Sequence, residues 1–262
     1  MLELTQQNNL TPLFDLCRQA FPYLDGKIET ENGFQVAPLP SLDNQQNLTW
    51  LIGSEQDGLI IKSLLQDLRQ LSPDAGKTYY MTRTWELLCW QPMYISFIAI
   101  YGLKQLPDFF TFKQKYQHKS VYSFAFDSDQ FSGAPTEQLV SIASKQLKVL
   151  FEHYREQLNS LTPCRQGYTN RLTADLILSL LIKVSEFVPG FSYQNLLQHA
   201  QLWLKAMELP LHLANTLVIN DKQIVIHART SCCLTYKANN DTCINCPKKH
   251  HLQPTRKSNN EN

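Results

Sequence analysis

Apolar residues recur at helical spacing through most of the chain. Leu13, Phe14, Cys17 and Phe21 share one face of a helix that opens at Thr11-Pro12, with Thr11 as cap and Pro12 in the first helical position. From Asp25 to Asn47 no period is sustained, which predicts a loop carrying a short strand at most. Asp57 is placed to cap a second helix whose inner face is Ile61, Leu64, Leu65, Leu68 and Leu71, ended by Ser72-Pro73-Asp74-Ala75-Gly76. The run from Trp85 to Leu103 holds one charge, Glu86, and is long enough to cross a bilayer. Pro92 interrupts it, Gln91 and Ser96 are polar, and neither flank carries a basic cluster. It reads as two buried helical pieces meeting at Pro92, with Cys89 as inert packing.

Period two takes over next. Phe109 to Tyr116 and Ser120 to Phe126 predict two strands turning at Gln117-His118, with Val121, Ser123 and Ala125 alternating against Tyr122, Phe124 and Phe126. The aromatic face either packs on helices or lines a ligand pocket. Ser132-Gly133-Ala134-Pro135-Thr136-Glu137 introduces a long helix with Leu139, Ile142, Leu150, Tyr154 and Leu158 inside, stopped at Thr162-Pro163. Thr173 starts another, with Leu176, Ile177, Leu180, Leu181 and Val184 inside. Ser192 caps the next, with Leu196, Leu197, Ala200, Trp203 and Met207 inside. Leu217-Val218-Ile219 and Gln223-Ile224-Val225-Ile226 flank Asn220-Asp221-Lys222 as a β-hairpin. The predicted class is α+β: predominantly helical, with small antiparallel units near 109–126 and 216–229 and a cysteine-rich C-terminal loop.

Composition narrows the picture. The chain has 262 residues, 43% hydrophobic and 18% charged, enough to bury a core. A formal charge of +1 argues against a nucleic-acid grip. The nine glycines form no phosphate-cradling loop, so no nicotinamide or flavin site is indicated and electrons would have to come from outside. The opening Met1-Leu2-Glu3-Leu4-Thr5-Gln6-Gln7 lacks the basic and apolar regions of an export signal. The organisation expected is a helical body over 1–227, with a weak boundary near 127–134, a cysteine motif over 228–251, and a disordered polar tail over 252–262.

Candidate chemistry concentrates at that motif. Four of the seven cysteines fall in Cys232-Cys233 and Cys243-Ile244-Asn245-Cys246-Pro247, with nine residues between the pairs. Cys17, Cys89 and Cys164 are scattered. Three chemistries use clustered thiols. Disulfide frameworks belong to small secreted chains. A structural zinc is usually held by two Cys-x-x-Cys knuckles, of which only Cys243/Cys246 is present here. A [2Fe–2S] cluster also takes four thiolates, but its two irons lie apart, which accommodates an adjacent pair whose side chains diverge.

The run Arg229-Thr230-Ser231-Cys232-Cys233-Leu234-Thr235-Tyr236, closing with Cys243-Ile244-Asn245-Cys246-Pro247, resembles the C-terminal motif of the FhuF-like ferric-siderophore reductases. That motif is a Cys-Cys pair, a spacer one residue longer than this one, and Cys-x-x-Cys. The resemblance implies a [2Fe–2S] cluster on Cys232, Cys233, Cys243 and Cys246. It also implies one-electron reduction of a ferric siderophore in the cytoplasm and release of iron(II). The partners it implies are the siderophore and an external electron donor such as a ferredoxin or reductase, with room for peripheral contact with the inner membrane. A zinc-stabilised binding protein and an iron–sulfur redox sensor are the alternatives.

Many siderophores carry negative charge, so basic residues near the cluster are substrate candidates. Arg229 and Lys237 are local in sequence, and Arg83, Arg165 and Arg171 qualify if the fold brings them close. Lys248-Lys249-His250-His251 forms a basic edge suited to an acidic donor. His227 and His250 are near enough in sequence to replace a cysteine ligand.

Overall fold

A computed structural model describes residues 9–29, 50–117, 119–220, 222, 224–239, 241–243 and 245–250. The expected polar tail, most of the loop after Asp25, the turn residue His118, the hairpin-tip residue Asp221 and the His251 end of the basic edge lie outside them. The protein is α+β and mostly helical. Helix α1 spans Thr11–Ala20, α2 Asp57–Leu71, α3 Lys77–Phe97, α4 Thr136–Leu161, α5 Gln166–Phe187 and α6 Tyr193–Ala206. The strands are β1 (Gly26–Ile28), β2 (Trp50–Leu51), β3 (Gln105–Pro107), β4 (Lys113–Gln117), β5 (Ser120–Phe126), β6 (Phe131–Gly133), β7 (Leu217–Ile219) and β8 (Val225–His227). Two single-turn helices, α7 (Tyr236–Asn239) and α8 (Pro247–His250), sit among the C-terminal cysteines.

Helix α3 organises the body. It packs against α2, α4, α5 and β5, and its buried residues lie on every side, from Tyr79 and Tyr80 through Leu88, Met93 and Phe97. That encirclement explains why Pro92 does not divide it. The proline removes one backbone donor, but packing on all faces holds the axis, and the helix runs on into a π-helical turn, Ile98–Leu103. The expected break at Pro92 is therefore absent. Among the described residues no helix is long and apolar enough to cross a membrane.

The two strands expected over 109–126 pair antiparallel, but the first begins only at Lys113, because Phe109–Thr111 forms a 3₁₀ turn with Asp108 accepting from Phe110 N. A register shift between Gln114 and Lys115 and a positive φ at Ser123 break the alternation. Phe124, Ala125 and Phe126 are consequently all buried, and Tyr122 turns to a cavity wall. Beside this hairpin β1 adds in parallel, Gly26 opposite Phe124, and β2 adds antiparallel to β4, giving the order β1-β5-β4-β2. No Cβ fits at Gly26, where the Phe124 and Phe14 rings come within 2.4 and 2.5 Å of its ideal position. Strands β3 and β6 pair with each other, as do β7 and β8.

Local signals at the helix ends were displaced by a few residues. Leu10, not Thr11, occupies the cap position of α1, and Asn9 Oδ1 accepts from Thr11 N at 3.0 Å. Asp57 begins α2 inside the first turn, and its buried carboxylate accepts from Ile52 N, Gly53 N and His153 Nε2 instead of capping its own helix. Helix α5 starts at Gln166 rather than Thr173. Ser192 does cap α6, with a reciprocal bond between its hydroxyl and the Asn195 backbone and between Asn195 Oδ1 and its own N–H. Ser192→Ala is expected to cost about 1 kcal/mol of stability, readable as a lower denaturant midpoint with an unchanged slope.

Candidate functional site

The second strand of the C-terminal hairpin, β8, lies along α5 and delivers the chain to the cysteines. Asp175, in the middle of α5, fixes that segment. Its carboxylate, only 2% exposed, accepts from Ser231 N at 2.9 Å, from Thr230 N at 3.3 Å and from the Ser231 hydroxyl. His227 Nε2 stands 3.2 Å from it, and Arg229 Nε stands 3.6 Å away, within ion-pair range. Burial alone would raise the Asp175 pKa. The contacts from His227 and Ser231 outweigh burial and hold it below the usual aspartate value. Two turns nearer the start of α5, Tyr168 donates to the Cys232 carbonyl at 2.9 Å and meets the Thr82 hydroxyl of α3 at 3.1 Å. Two helices thus position the first two cysteines.

Beyond Cys233 the chain bends through Leu234, a non-glycine residue at φ 59°. Such a conformation costs about 1 kcal/mol and persists where the surroundings require it. Here it aims Leu234 N at Cys232 Sγ, 3.4 Å away, while the Thr235 hydroxyl donates to Cys233 Sγ at 3.1 Å. The Cys243 carbonyl accepts from Cys246 N at 3.1 Å, closing the Cys-x-x-Cys turn.

All four thiols are free, and they meet in two pairs. Cys233 and Cys243 sulfurs are 3.7 Å apart, and Cys232 is in side-chain contact with Cys246. Adjacent residues in extended backbone point opposite ways, so the Cys-Cys dipeptide sends its two sulfurs to different partners. A disulfide would bring sulfurs to about 2.05 Å. Two thiolates on one tetrahedral metal, at about 2.3 Å each, stand about 3.8 Å apart. The Cys233–Cys243 spacing matches the second case. Among the described residues no group of three or more His, Cys, Asp or Glu side chains forms a metal site. A donor set grouped two by two fits a [2Fe–2S] cluster, whose irons each take two thiolates.

Without a bound cation the thiols resist ionisation. Burial, and then the neighbouring Cys233, push Cys243 up to about 12, and burial raises Cys232 as well. Four adjacent thiolates would repel one another, so a metal must displace the protons as it binds. Cys17, raised to about 12 by burial, and Cys164, raised to about 11 by burial, lie in the core and away from this group. His227 turns to Ser179 and Asp175 and not to the sulfurs.

Of the basic candidates, Arg83 and Arg229 come together across Glu86. Arg83 Nη1 lies 3.3 Å from Glu86 Oε2, and Arg229 Nη2 lies 3.8 Å from Glu86 Oε1. All three line a cavity of about 590 Å³ between α3, α5 and β5. Burial raises the Glu86 pKa, and the two guanidinium groups pull against it. Arg229 lines the cavity, lies three residues before Cys232, and is within electrostatic reach of Cys233 and Cys243. Arg165 and Arg171 are exposed at the start of α5 and do not line the cavity, and Lys237 is exposed on α7. Lys248 rests over the Tyr236 ring at 3.9 Å on the cysteine side of the molecule.

A second cavity, about 610 Å³ and bounded by α4 and α5, contains none of the cysteines. Asp175 and Tyr168 carry no mark in the sequence, and Glu86 stands out there only as the one charge in an apolar run. The available signal was a lone acid in an otherwise apolar helical face, which must find a partner once buried. No family model matches the chain, and no solved structure matches it.

Proposed function

We infer that the protein is a ferric-siderophore reductase. The observation that carries this reading is the pairing of four cysteines, two by two, beside a cavity that presents two guanidinium groups. Cys232, Cys233, Cys243 and Cys246 would hold a [2Fe–2S] cluster. When bound, that group supplies one electron at a time. Iron(III) is held by hard oxygen donors, and iron(II) is bound by them far more weakly, so one electron loosens the chelate and frees the metal.

The chain's own residues prepare the site. Leu234 N–H and the Thr235 hydroxyl donate to the sulfurs, and such bonds stabilise added negative charge and raise the reduction potential. Asp175, with Tyr168, holds the ligand strand still, which keeps reorganisation on electron transfer small. Exposed Lys237 and Lys248 give the cysteine side a positive rim suited to docking an acidic one-electron donor.

The test is single-turnover re-oxidation. Protein reduced anaerobically, with excess reductant removed, is mixed with ferric chelates. The visible spectrum should return to the oxidised form with iron(II) appearing in step, one per electron lost. A coloured protein that stays reduced in every ferric chelate would instead be a sensor. A colourless protein holding one zinc would be a structural clip.

A further inference from the structure

The geometry points to the cavity between α3, α5 and β5 as the bay that receives the substrate, and to a net-negative ferric chelate bearing aryl rings as the class it takes. This rests on the reductase reading, which by itself specifies neither the place nor the class. Three features carry it. First, Arg83 and Arg229 project into one cavity from different elements and converge on the Glu86 carboxylate. Two guanidinium groups around one carboxylate form an anion site already filled by an internal anion. Arg229 Nη2 reaches Glu86 only at 3.8 Å, beyond hydrogen-bond distance, while the buried Nε faces Asp175 at 3.6 Å and is not offered to the cavity. Glu86 therefore leaves donor capacity that an incoming oxygen anion can use.

Second, the same cavity is lined by aromatic rings, Trp90 and Tyr94 from α3 beside Glu86, and Tyr23 and Tyr122. Tyr23 and Tyr122 stand 5.4 Å apart between ring centroids, and Trp90 meets Tyr94 edge-on at 5.8 Å. Tyr94 is covered by Phe21, 5.0 Å between centroids, and by Lys183 Nζ, 5.6 Å from its ring centroid. Trp90 and Tyr122 are half-buried and Tyr23 is exposed, which leaves these three as ring surface for a planar group. Rings and guanidinium groups lining one cavity suit a catecholate or phenolate type of donor better than a neutral hydroxamate. Third, the volume of about 590 Å³ falls within the range of small-molecule sites, about 300–1,000 Å³. Arg229, which lines the bay, stands three residues before Cys232 in the chain, which brings the bay to the approach of the cysteine group.

Binding is tested without electron transfer by titrating gallium(III) chelates, which are not reducible here, into the oxidised, cluster-loaded full chain by calorimetry. An anionic gallium aryl-catecholate should bind more tightly than a neutral gallium trihydroxamate. Arg83→Gln should weaken it about tenfold, the worth of one charge-assisted hydrogen bond. Trp90→Leu should weaken it about threefold to tenfold through lost ring contact. Glu86→Gln should act in the opposite direction, tightening binding at least about threefold by removing the internal competitor. A damaged fold would weaken binding in all three variants, so the tightened one is the decisive arm.

Equal or tighter binding of the neutral chelate, or an Arg83→Gln affinity equal to wild type, overturns the proposal. The two readings fail separately. Gallium chelate binding with no re-oxidation by the iron counterpart sinks the reductase and leaves the bay. Re-oxidation at unchanged rates in Arg83→Gln and Trp90→Leu sinks the bay and leaves the reductase.

Discussion

Cys243→Ser should strip the protein of its visible absorption and of chelate reduction together, with turnover falling more than the roughly 10–100-fold that follows loss of an outer partner of a metal site. Cys243 faces Cys233 at 3.7 Å, and a serine hydroxyl neither matches a thiolate's softness nor gives up its proton readily at neutral pH. The control is Cys17→Ser. Cys17 is fully buried in the apolar face of α1, among Leu13 and Phe14. That change costs stability by burying a hydroxyl, about 1–3 kcal/mol, but leaves colour and rate per folded molecule intact. Iron content, visible spectra and re-oxidation rates on both variants check it. Full activity in Cys243→Ser removes Cys243 from the ligand set.

The second large effect belongs to Asp175, which touches no sulfur. Asp175→Ala should destabilise the protein by about 3–5 kcal/mol, the usual cost of stranding one partner of a buried charged pair. Arg229 would keep only its longer contact with Glu86, His227 would lose its neighbouring carboxylate, and Thr230 N and Ser231 N would lose their acceptor. Because these groups bracket the approach to Cys232, iron retention should fall as well, and hydrogen exchange should quicken over the 227–233 segment before it does in α3.

The pH dependence has a definite sign. Asp175 ionises more readily folded than unfolded, so its contribution is complete above the ordinary value of 3.8 and disappears as the pH falls below that, through the folded-state value. Asp175→Asn should keep the shape of the site and lose that acid-sensitive component. Chemical denaturation of wild type and both variants between pH 3 and 7 measures it. An alanine variant with wild-type stability would mean that the ligand strand is held by something else.

How far the sequence foretold the structure depended on whether the cause was local. The stripe Leu139, Leu150, Tyr154 and Leu158 is a one-helix property, and α4 buries all four. The Ser192 cap needs only its neighbour Asn195. Pro92 misled because its effect was judged on an isolated helix, whereas α3 is wrapped by four elements. The alternation in β5 failed at Ser123 because the bulge is set by the pairing with β4 and by the Ser123 N bond to the Tyr23 carbonyl. At the site, the cysteines were legible because their spacing carries the chemistry. Arg83 and Arg229 could be named as cations but not placed together, since their meeting depends on how α3 packs against the strand leaving β8. Asp175 was hidden among the apolar residues of α5, and its role appears only when Thr230 and Ser231 arrive from 55 and 56 positions away.

The most direct test is the inorganic content of the anaerobically purified, unreconstituted full chain, read together with its electron paramagnetic resonance spectrum after one-electron reduction. The account predicts two irons and two acid-labile sulfides per chain, and a signal from one unpaired electron that disappears when a ferric chelate is added. One zinc per chain, or four free thiols with no metal, would contradict it.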